Sequence, residues 1–334
     1  MGDSAASWAA AAKVGAGSSP YCGPWTAGWE YGQLTHRPRD SDGRTQPSLS
    51  TCAPLKSTDP RSAYFMTYWQ DKVCVISGGS AGLGLSVGRA LAQRGARVVL
   101  TARRQDVLDA AVAELNAAGG KVTGIVGDMA WQEDVDRVAI EVAQQFGRVD
   151  MLCNCAGRST RGLVLDTTPE DFQQLLDANF MTTVRATRAF APALLASRGH
   201  LVNVGSLASK LAPRFTGAYP VSKFAVAAYT QQLRQELTDQ GLHVMLVCPG
   251  PFKRDDNGKR YAAESTGVPA AAQAPGAGAH IKTLDPDEMA ARLLKACEQR
   301  LPELVVPSRV KWLCAISQLW PAWGDRLLRR STSG

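Results

Sequence analysis

Along most of the chain, short runs of β-branched and apolar residues alternate with longer segments whose apolar positions recur at helical spacing. The short runs predict seven strands, at residues 72–77, 96–102, 121–126, 150–155, 200–205, 243–248 and 303–307. The longer segments predict helices near residues 83–94, 105–118, 131–146, 169–196, 217–240 and 286–300. The last helix has its own start signal, with an N-cap, a first-turn proline and a capping-box acid at Asp285, Pro286 and Glu288.

The strands are apolar at consecutive positions, a pattern typical of strands that are buried on both faces. Such strands, when they alternate with helices, form a parallel sheet that is covered by helices on both sides. The sequence therefore predicts a single α/β domain, doubly wound around a seven-stranded parallel sheet, over residues 66–307. One core accounts for all of these elements, and no internal repeat is visible.

Three regions fall outside this alternation. Residues 1–65 are rich in Ala, Gly, Ser, Pro and Thr without a sustained period, so we predict a disordered and dispensable tail before Met66. Residues 251–283 are too long for an ordinary connection, and we interpret them as a lid loop over the substrate. Residues 308–334 carry three of the eight tryptophans and five basic residues, which predicts an amphipathic segment.

Composition narrows the class of protein. A chain of 334 residues with 45% hydrophobic content can bury a full core. The net charge of +7 is not concentrated in the predicted domain, so nucleic-acid binding is not expected. The eight cysteines include no C-x-x-C pair, which disfavours a metal site or disulfides and favours reduced, buried thiols in a cytoplasmic protein. No secretory signal or bilayer-spanning run is visible.

A glycine-rich turn, SGGSAGLG, joins the first predicted strand to the first helix. Gly78, Gly82 and Gly84 allow the backbone to turn sharply and to approach a ligand closely. The helix N-terminus that follows favours an anion. Because the turn lies at the first crossing of a parallel sheet, it predicts the binding of a dinucleotide.

Further motifs complete a recognisable pattern. Residues 154–157 read NCAG after the fourth strand, Tyr219 and Lys223 stand four apart in AYPVSK, and Ser206 precedes Tyr219 by 13 residues. Together with the glycine spacing, these motifs resemble the short-chain dehydrogenase/reductase family from about residue 70 to residue 307. The likeness is to its single-domain branch of NADP-type carbonyl reductases and hydroxysteroid-dehydrogenase-like enzymes. The resemblance implies a Rossmann fold and hydride transfer between a carbonyl and a secondary alcohol.

The resemblance also assigns roles to individual residues. Tyr219 would be the general acid–base, and Lys223 its electrostatic partner, which also holds the nicotinamide ribose. Ser206 would donate to the substrate oxygen, and Asn179 would anchor the water of a proton relay. An ammonium one helical turn from a tyrosine stabilises the phenolate, which a free tyrosine with a pKa of about 10 forms poorly near neutrality. The positions expected to bind the cofactor are Gly78, Ser80, Gly82, Leu83, Gly84, Arg103, Asp128, Asn154, Ala156, Gly157, Tyr219, Lys223, Pro249 and Gly250.

The residues that follow the second strand predict the phosphorylated cofactor. NAD-binding members of the family place an acid at this strand end, where the chain has Ala102 followed by Arg103. No carboxylate would repel a 2′-phosphate here and Arg103 can pair with one, so NADP(H) is expected. Asp128, at the end of the third strand, resembles the residue that contacts the adenine. The family's usual Thr after Pro249 and Gly250 is missing, which leaves the cofactor contacts of that loop open.

Several alternatives stay open. A 3-oxoacyl-thioester reductase is the second substrate class within the family, and a non-catalytic dinucleotide sensor or scaffold is the alternative outside catalysis. The expected partner is a small, lipophilic carbonyl or alcohol, and the resemblance suggests a homodimer or homotetramer. Residues 309–330 are compatible with peripheral membrane contact and also with packing over the substrate pocket or a subunit partner, of which the packing is favoured.

Overall fold

The computed structural model describes residues 68–253, 268–269, 272, 276–278 and 281–331. The predicted tail, residues 1–65, and most of the predicted lid, residues 251–283, lie outside the described residues. The strands are β1 (Val73–Ser77), β2 (Arg97–Ala102), β3 (Lys121–Val126), β4 (Met151–Asn154), β5 (His200–Val204), β6 (His243–Pro249) and β7 (Glu303–Val306). The helices are α1 (Gly82–Ala92), α2 (Gln105–Ala117), α3 (Gln132–Phe146), α4 (Pro169–Leu176), α5 (Thr182–Ser197), α6 (Tyr219–Leu237), α7 (Pro286–Glu298), α8 (Val310–Leu319) and α9 (Pro321–Ser331).

All seven strands are parallel, in the order β3-β2-β1-β4-β5-β6-β7. This order confirms the predicted doubly wound sheet, and each predicted strand ends within two residues of the observed one. The strand order reverses between β1 and β4, where successive connections leave the sheet in opposite directions. A crevice opens at the carboxyl ends of the strands at such a point, and ligands bind there in open α/β sheets.

The sheet separates two buried layers. On one face, Cys74 and Ile76 of β1 pack with apolar residues of α1, α2 and α7, and on the other face Val75 packs with residues of α3 and α5. This alternation follows from the period of two along a strand. Side chains such as Leu100 are completely buried, and truncation of a buried leucine to alanine costs about 2–5 kcal/mol. The two layers hold the carboxyl ends of the strands in fixed positions.

The predicted helix over residues 169–196 is divided in the structure. A π-helical turn, Asp177–Met181, separates α4 from α5 and contains the predicted site residue Asn179. The hydroxyls of Thr182 and Thr183 donate to the carbonyls of Ala178 and Asn179, at 3.0 Å each. A turn of this kind inserts an extra residue into the helix and changes the direction of the side chains around it.

A chain of hydrogen bonds crosses the amino ends of β5 and β6. Tyr68 Oη lies 2.7 Å from His200 Nε2, the Nδ1 atoms of His200 and His243 are 2.8 Å apart, and His243 Nε2 lies 2.8 Å from the carbonyl oxygen of Leu301. A carbonyl only accepts, so His243 Nε2 carries a proton, and neutral rings then require His200 Nδ1–H to donate to His243. Cys297 lies beside the pair. Because all four imidazole nitrogens are engaged, the cluster is a core hydrogen-bond network and not a set of vacant metal ligands.

The C-terminal segment forms the two short helices α8 and α9, which are separated at Pro321, because a proline in a helix interior removes a backbone hydrogen bond. The helices approach closely, because a Cβ added to Gly324 would lie 2.4 Å from Ser317 Cα. Within the described residues, no helix combines the length and the apolar character that crossing a membrane requires.

Candidate active site

A cavity of about 1660 Å³ opens at the carboxyl ends of the strands. Its walls come from the segments that follow β1, β2, β3, β4, β5 and β6, together with parts of α8 and α9. Fourteen of the predicted site residues line it: Gly78, Ser80, Gly82, Leu83, Gly84, Arg103, Asp128, Ala156, Gly157, Ser206, Tyr219, Lys223, Pro249 and Gly250.

The glycine-rich turn forms a cradle at one end of this cavity. Gly78 and Gly82 have φ of +69° and +54°, in the left-handed region that favours glycine. A Cβ added to Gly84 would lie 2.3 Å from the carbonyl oxygen of Gly78, so only glycine fits where α1 begins. The first turn of α1 has no acidic residue. Bare backbone and an uncovered helix N-terminus suit the pyrophosphate of a dinucleotide.

The tyrosine and the lysine lie on the first turns of α6, which begins at Tyr219. Pro220 occupies a first-turn position of the helix, where a proline is tolerated because its missing N–H would have no partner there. Lys223 is 5% exposed, and its Nζ donates to the carbonyl oxygen of Val204, at the end of β5, at 2.9 Å. Burial lowers the pKa of Lys223 to about 8. The ammonium is thereby fixed at the cavity wall, one helical turn from Tyr219.

Ser206 follows β5 in an extended conformation, with φ of −166°. Its Oγ accepts from Ala208 N at 3.1 Å, and its own N–H donates to Ser209 Oγ at 3.1 Å. Because the side-chain bond uses the oxygen as acceptor, the hydroxyl proton can be donated to a ligand in the cavity.

Asn179 is 1% exposed and does not line the cavity. Its Oδ1 accepts from Arg158 N at 2.7 Å, and its Nδ2 donates to Arg158 O at 2.8 Å and to Ser222 Oγ at 2.9 Å. The side chain therefore joins the segment after β4 to α6, next to Lys223. A Cβ added to Gly157 would lie 2.7 Å from Asn179 Oδ1, so the two segments are in close contact.

Asn154 is also placed inside the protein, 3% exposed, and is absent from the cavity wall. Its Nδ2 donates to Asn203 Oδ1 of β5 at 2.9 Å, and its Oδ1 accepts from Ser77 Oγ of β1 at 3.4 Å. These side-chain bonds join three adjacent strands below the cavity, and the cofactor contact expected of Asn154 stays a prediction.

At the far end of the cavity, Arg103 and Asp128 lie together. Arg103 Nη1 is 3.8 Å from Asp128 Oδ2, and the arginine side chain is 76% exposed. Asp128 is held in turn, because its Oδ1 accepts from Ala130 N at 3.0 Å and its N–H donates to Asp134 Oδ2 at 2.8 Å. Among the described residues, one loose ion pair restrains the guanidinium, which is able to turn towards a ligand.

Sequence reasoning missed one contribution to the cavity and left a second one open. Arg161 lines the cavity, and its guanidinium is buried and donates to the carbonyls of Thr160 and Ala272 at 2.8 Å each. The second arginine in the run NCAGRSTRG was the signal in the sequence that could have indicated this contribution. Residues of α8 and α9, among them Leu313 and Leu328, also line the cavity, so the C-terminal segment packs beside the predicted site.

The sequence model of the family described as short chain dehydrogenase matches residues 72–265, more than half of the chain. The chain belongs to the short-chain dehydrogenase family. Members of this family are oxidoreductases that act on CH–OH and C=O groups with a nicotinamide dinucleotide. The cradle and the cavity described above fit such a cofactor.

Named relatives span most of this short-chain dehydrogenase. A dehydrogenase/reductase SDR family member 7B from Danio rerio is 32% identical, over 78% of this chain and 85% of its own. The ketoacyl reductase HetN from a Nostoc species is 30% identical, over 79% and 90%.

Solved structures show the same fold. A metagenomic short-chain oxidoreductase in complex with NADP is 29% identical, with a TM-score of 0.58 over 71% of this chain and 97% of that one. A short-chain dehydrogenase/reductase from Burkholderia phymatum in complex with NAD has a TM-score of 0.65 over 80% and 98% of the two chains. At 24% identity, this second likeness bears on the fold alone.

Proposed function

We propose that this protein is an NADP(H)-dependent carbonyl reductase that interconverts a lipophilic carbonyl compound and its secondary alcohol. The observation that carries the proposal is that Ser206, Tyr219 and Lys223 line the same cavity as the glycine cradle. When bound, the nicotinamide dinucleotide supplies or accepts the hydride.

The protein's own residues handle the proton. Ser206 donates a hydrogen bond to the carbonyl oxygen and so stabilises the negative charge that develops there. Tyr219 donates its hydroxyl proton to the same oxygen in reduction and takes it back in oxidation. The Lys223 ammonium stabilises the phenolate that Tyr219 becomes. Asn179 joins the segment after β4 to α6 through Arg158 and Ser222, and its role as the anchor of a water in the proton relay stays a prediction.

Three features support NADP(H) over NAD. The position at the end of β2 is Ala102, so no carboxylate at that position meets the 2′ position of the ribose. Arg103 follows it, lines the cavity and is exposed enough to reach a phosphate. A relative of known structure was solved with NADP.

The replacement Tyr219→Phe tests the proposed function. Wild-type protein is expected to consume NADPH in a screen of ketosteroids, retinals, 3-oxoacyl thioesters and quinones, and the variant should lose about 10²- to 10⁴-fold in kcat while it still binds NADPH. A variant with unaltered kcat would overturn the acid–base assignment. Binding of NADPH with no turnover of any carbonyl would favour the sensor or scaffold.

A 3-oxoacyl-thioester reductase is the second candidate, favoured by the likeness to the ketoacyl reductase HetN. The two substrate classes differ in size and charge, because a thioester carrier brings phosphate and the lipophilic ketone does not. The thioester arm of the same screen separates them by comparison of kcat/KM values.

We further propose that α8 and α9 rest on a membrane surface. Trp312, Trp320 and Trp323 are 77%, 58% and 63% exposed, while Leu313 and Leu328 of the same helices face the cavity. The basic residues around the tryptophans are Arg309, Lys311, Arg326, Arg329 and Arg330. Exposed tryptophans within a basic surface match the headgroup region of an anionic bilayer. A lipophilic substrate would then enter a cavity that lies beside its source.

The outer side of α6 supports the expected homodimer or homotetramer. Val221 and Phe224 are 48% and 38% exposed there, although they belong to one of the longest helices of the described residues. Burial of such side chains against a second copy would remove apolar surface from water.

A further inference from the structure

Two cysteines flank the end of β4, beneath the wall of the cofactor cavity. Cys153 is completely buried, whereas Cys155 is half-buried and lines the cavity, so the expectation that the strand cysteines are all buried is wrong for Cys155. Alternate residues of a strand point to the same side, and the two Sγ atoms lie 3.4 Å apart. The pair thus combines an accessible thiol with a second thiol in contact behind it.

We propose that Cys155 is a site of oxidation by peroxides and that Cys153 resolves the oxidised thiol as a reversible disulfide, which inactivates the enzyme. Only the activity readout of this proposal rests on the proposed reductase function.

The chemistry takes two balanced steps. A hydroperoxide transfers one oxygen to the Cys155 thiol, which becomes a sulfenic acid. The remainder of the hydroperoxide leaves as water or an alcohol. The Cys153 thiol then attacks that sulfur, an S–S bond forms, and the hydroxyl leaves as water. In total, the two thiols lose two hydrogen atoms, that is two protons and two electrons, and the peroxide accepts them.

The order of attack follows from the surroundings of each thiol. Contact with Cys155 and burial raise the pKa of Cys153 well above its ordinary value, so Cys153 is the poorer first nucleophile. Cys155, at the cavity surface, is the one that a dissolved oxidant can reach.

Bond formation requires movement of the backbone. The sulfurs must close from 3.4 Å to about 2.05 Å, and Cα atoms two residues apart along a strand, at about 6.6 Å, lie near the upper limit for a disulfide. The disulfide would therefore be strained, and strained disulfides are reduced readily. This makes the modification reversible by ordinary thiols.

Away from the cavity, the segment that must move is in close contact with its neighbours. A Cβ added to Gly78 would lie 2.9 Å from Ala156 Cα, and one added to Gly157 would lie 3.5 Å from Lys223 Nζ. Residues 155–157 are thus held between the cofactor cradle and the proposed catalytic lysine. A displacement of about 1 Å at such a position can cost on the order of 10²-fold in rate.

The experiment treats full-length, reduced protein with hydrogen peroxide and follows the tryptic peptide 149–158, released by cleavage at Arg148 and Arg158, which contains both thiols. We expect this peptide to lose two hydrogen atoms and to resist alkylation, and NADPH oxidation to fall at least about tenfold. Dithiothreitol should restore both the reduced mass of the peptide and the rate of NADPH oxidation. Prior saturation with NADP(H) should slow the modification, because the cofactor covers the cavity wall.

Two variants complete the design, each compared with its own untreated activity. In Cys153→Ser, Cys155 should advance to sulfinic acid, which dithiothreitol does not reverse. Cys314→Ser is the matched control, because Cys314 is also half-buried but lies on α8 by a separate cavity, and it should respond as wild type does.

Absence of the mass change in a folded, reduced protein overturns the proposal whatever the enzyme's substrate. A complete disulfide in the peptide with unchanged turnover and unchanged NADPH fluorescence titration overturns the inactivation. If the protein turns over no carbonyl compound, the proposed reductase function fails. The mass change and the NADPH titration still test the oxidation of Cys155 in that case, so the two failures are distinguished.

Discussion

At the scale of single residues, burial determines the chemistry of Lys223. An ammonium that bonds a backbone carbonyl inside the protein loses most of its hydration, and this loss lowers its pKa to about 8. The group is still charged at neutral pH, but it is close enough to its titration that a rise of one or two pH units removes the charge. The proposed support for the Tyr219 phenolate is therefore sensitive to pH.

Carbonyl reduction should consequently decline with rising pH. Lys223 is protonated below its pKa of about 8, so kcat/KM is expected to be high below that pH and to fall as the pH rises through it. The measurement is a profile of NADPH-dependent reduction from about pH 6 to about pH 10. Lys223→Arg keeps its charge over this range and should shift any decline upwards. A flat wild-type profile would remove Lys223 from the mechanism.

Cofactor choice is also decided by one side chain. Arg103→Asp replaces the group that would pair with the 2′-phosphate by one that repels it, and a hydrogen bond to a charged group contributes about 1.5–3 kcal/mol. We expect KM for NADPH to rise by about 10- to 100-fold and the preference to move towards NADH. Arg104→Asp is the charge-matched control and should have a smaller effect. An unaltered preference in Arg103→Asp would contradict the NADP(H) assignment.

The residues of the candidate site could be predicted where their function requires a particular spacing along the sequence. The spacing of Gly78, Gly82 and Gly84 and the interval from Tyr219 to Lys223 are visible in the letters, and the structure brings all five to one cavity. The orientation of Asn154 was not predictable, because its partners come from β1 and β5, far away in the sequence.

At the scale of elements, the predicted helix over residues 169–196 also shows that contacts between distant or backbone groups cannot be predicted from local sequence. Its apolar period is continuous enough to predict one helix, but threonine hydroxyls bond to backbone carbonyls at the π-helical turn and direct Asn179 inwards. The boundaries of the strands were predicted well because burial on both faces leaves a local record in the sequence. The extra residue of a π-helical turn does not change the apolar pattern of the sequence in a recognisable way.

The hydrogen-bonded histidines at the amino ends of β5 and β6 should make folding sensitive to acid. Burial, His243 and the nearby Arg300 and Lys72 lower the pKa of His200 from 6.5 to about 2, and burial lowers that of His243. The unfolded chain therefore binds more protons below about pH 6.5, and stability is lost as the pH falls from there towards 2. Protonation of His200 in the folded state would also add a proton at Nε2, the atom that accepts from the Tyr68 hydroxyl.

Urea unfolding measures this loss. Between pH 7 and pH 5, the proton on His200 alone should lower the free energy of unfolding by about 2 kcal/mol. His200→Gln should be less stable than wild type at pH 7 but should depend less steeply on pH over the same range. Equal slopes for the two proteins would show that the pair does not control acid stability.

At the scale of the whole molecule, the C-terminal helices combine two surfaces. Their inner side chains complete the wall of the cavity, and their outer side chains place three tryptophans in water among basic residues. The sequence predicted an amphipathic segment and left open whether it packs on the protein or meets a membrane. The structure shows that the inner side of these helices packs on the protein while the outer side is exposed. An amphipathic pattern is compatible with either kind of contact, so the sequence alone could not exclude one of them.

Vesicle binding tests the outer surface. Full-length protein should sediment with vesicles that contain phosphatidylserine, less with pure phosphatidylcholine, and less again at high salt, because exposed charges are screened. Lys near an anionic surface contributes about 1 kcal/mol, so Lys311→Glu with Arg326→Glu should lower partitioning by about thirtyfold or more. Trp312→Ser with Trp323→Ser should also reduce it. Trp131→Ser is the matched control, because Trp131 is 65% exposed and is the N-cap residue of α3, which does not belong to this surface.

The alternative occupant of this surface, a second copy of the chain, predicts a different result from the same variants. A shared interface would bury the tryptophans, so their replacement would reduce the oligomeric mass measured by light scattering and leave sedimentation with vesicles unchanged. A membrane surface would bury them only when lipid is present, so the mass in solution would stay constant while sedimentation is lost. The two readouts, taken on one set of proteins, therefore distinguish lipid from protein as the partner of α8 and α9.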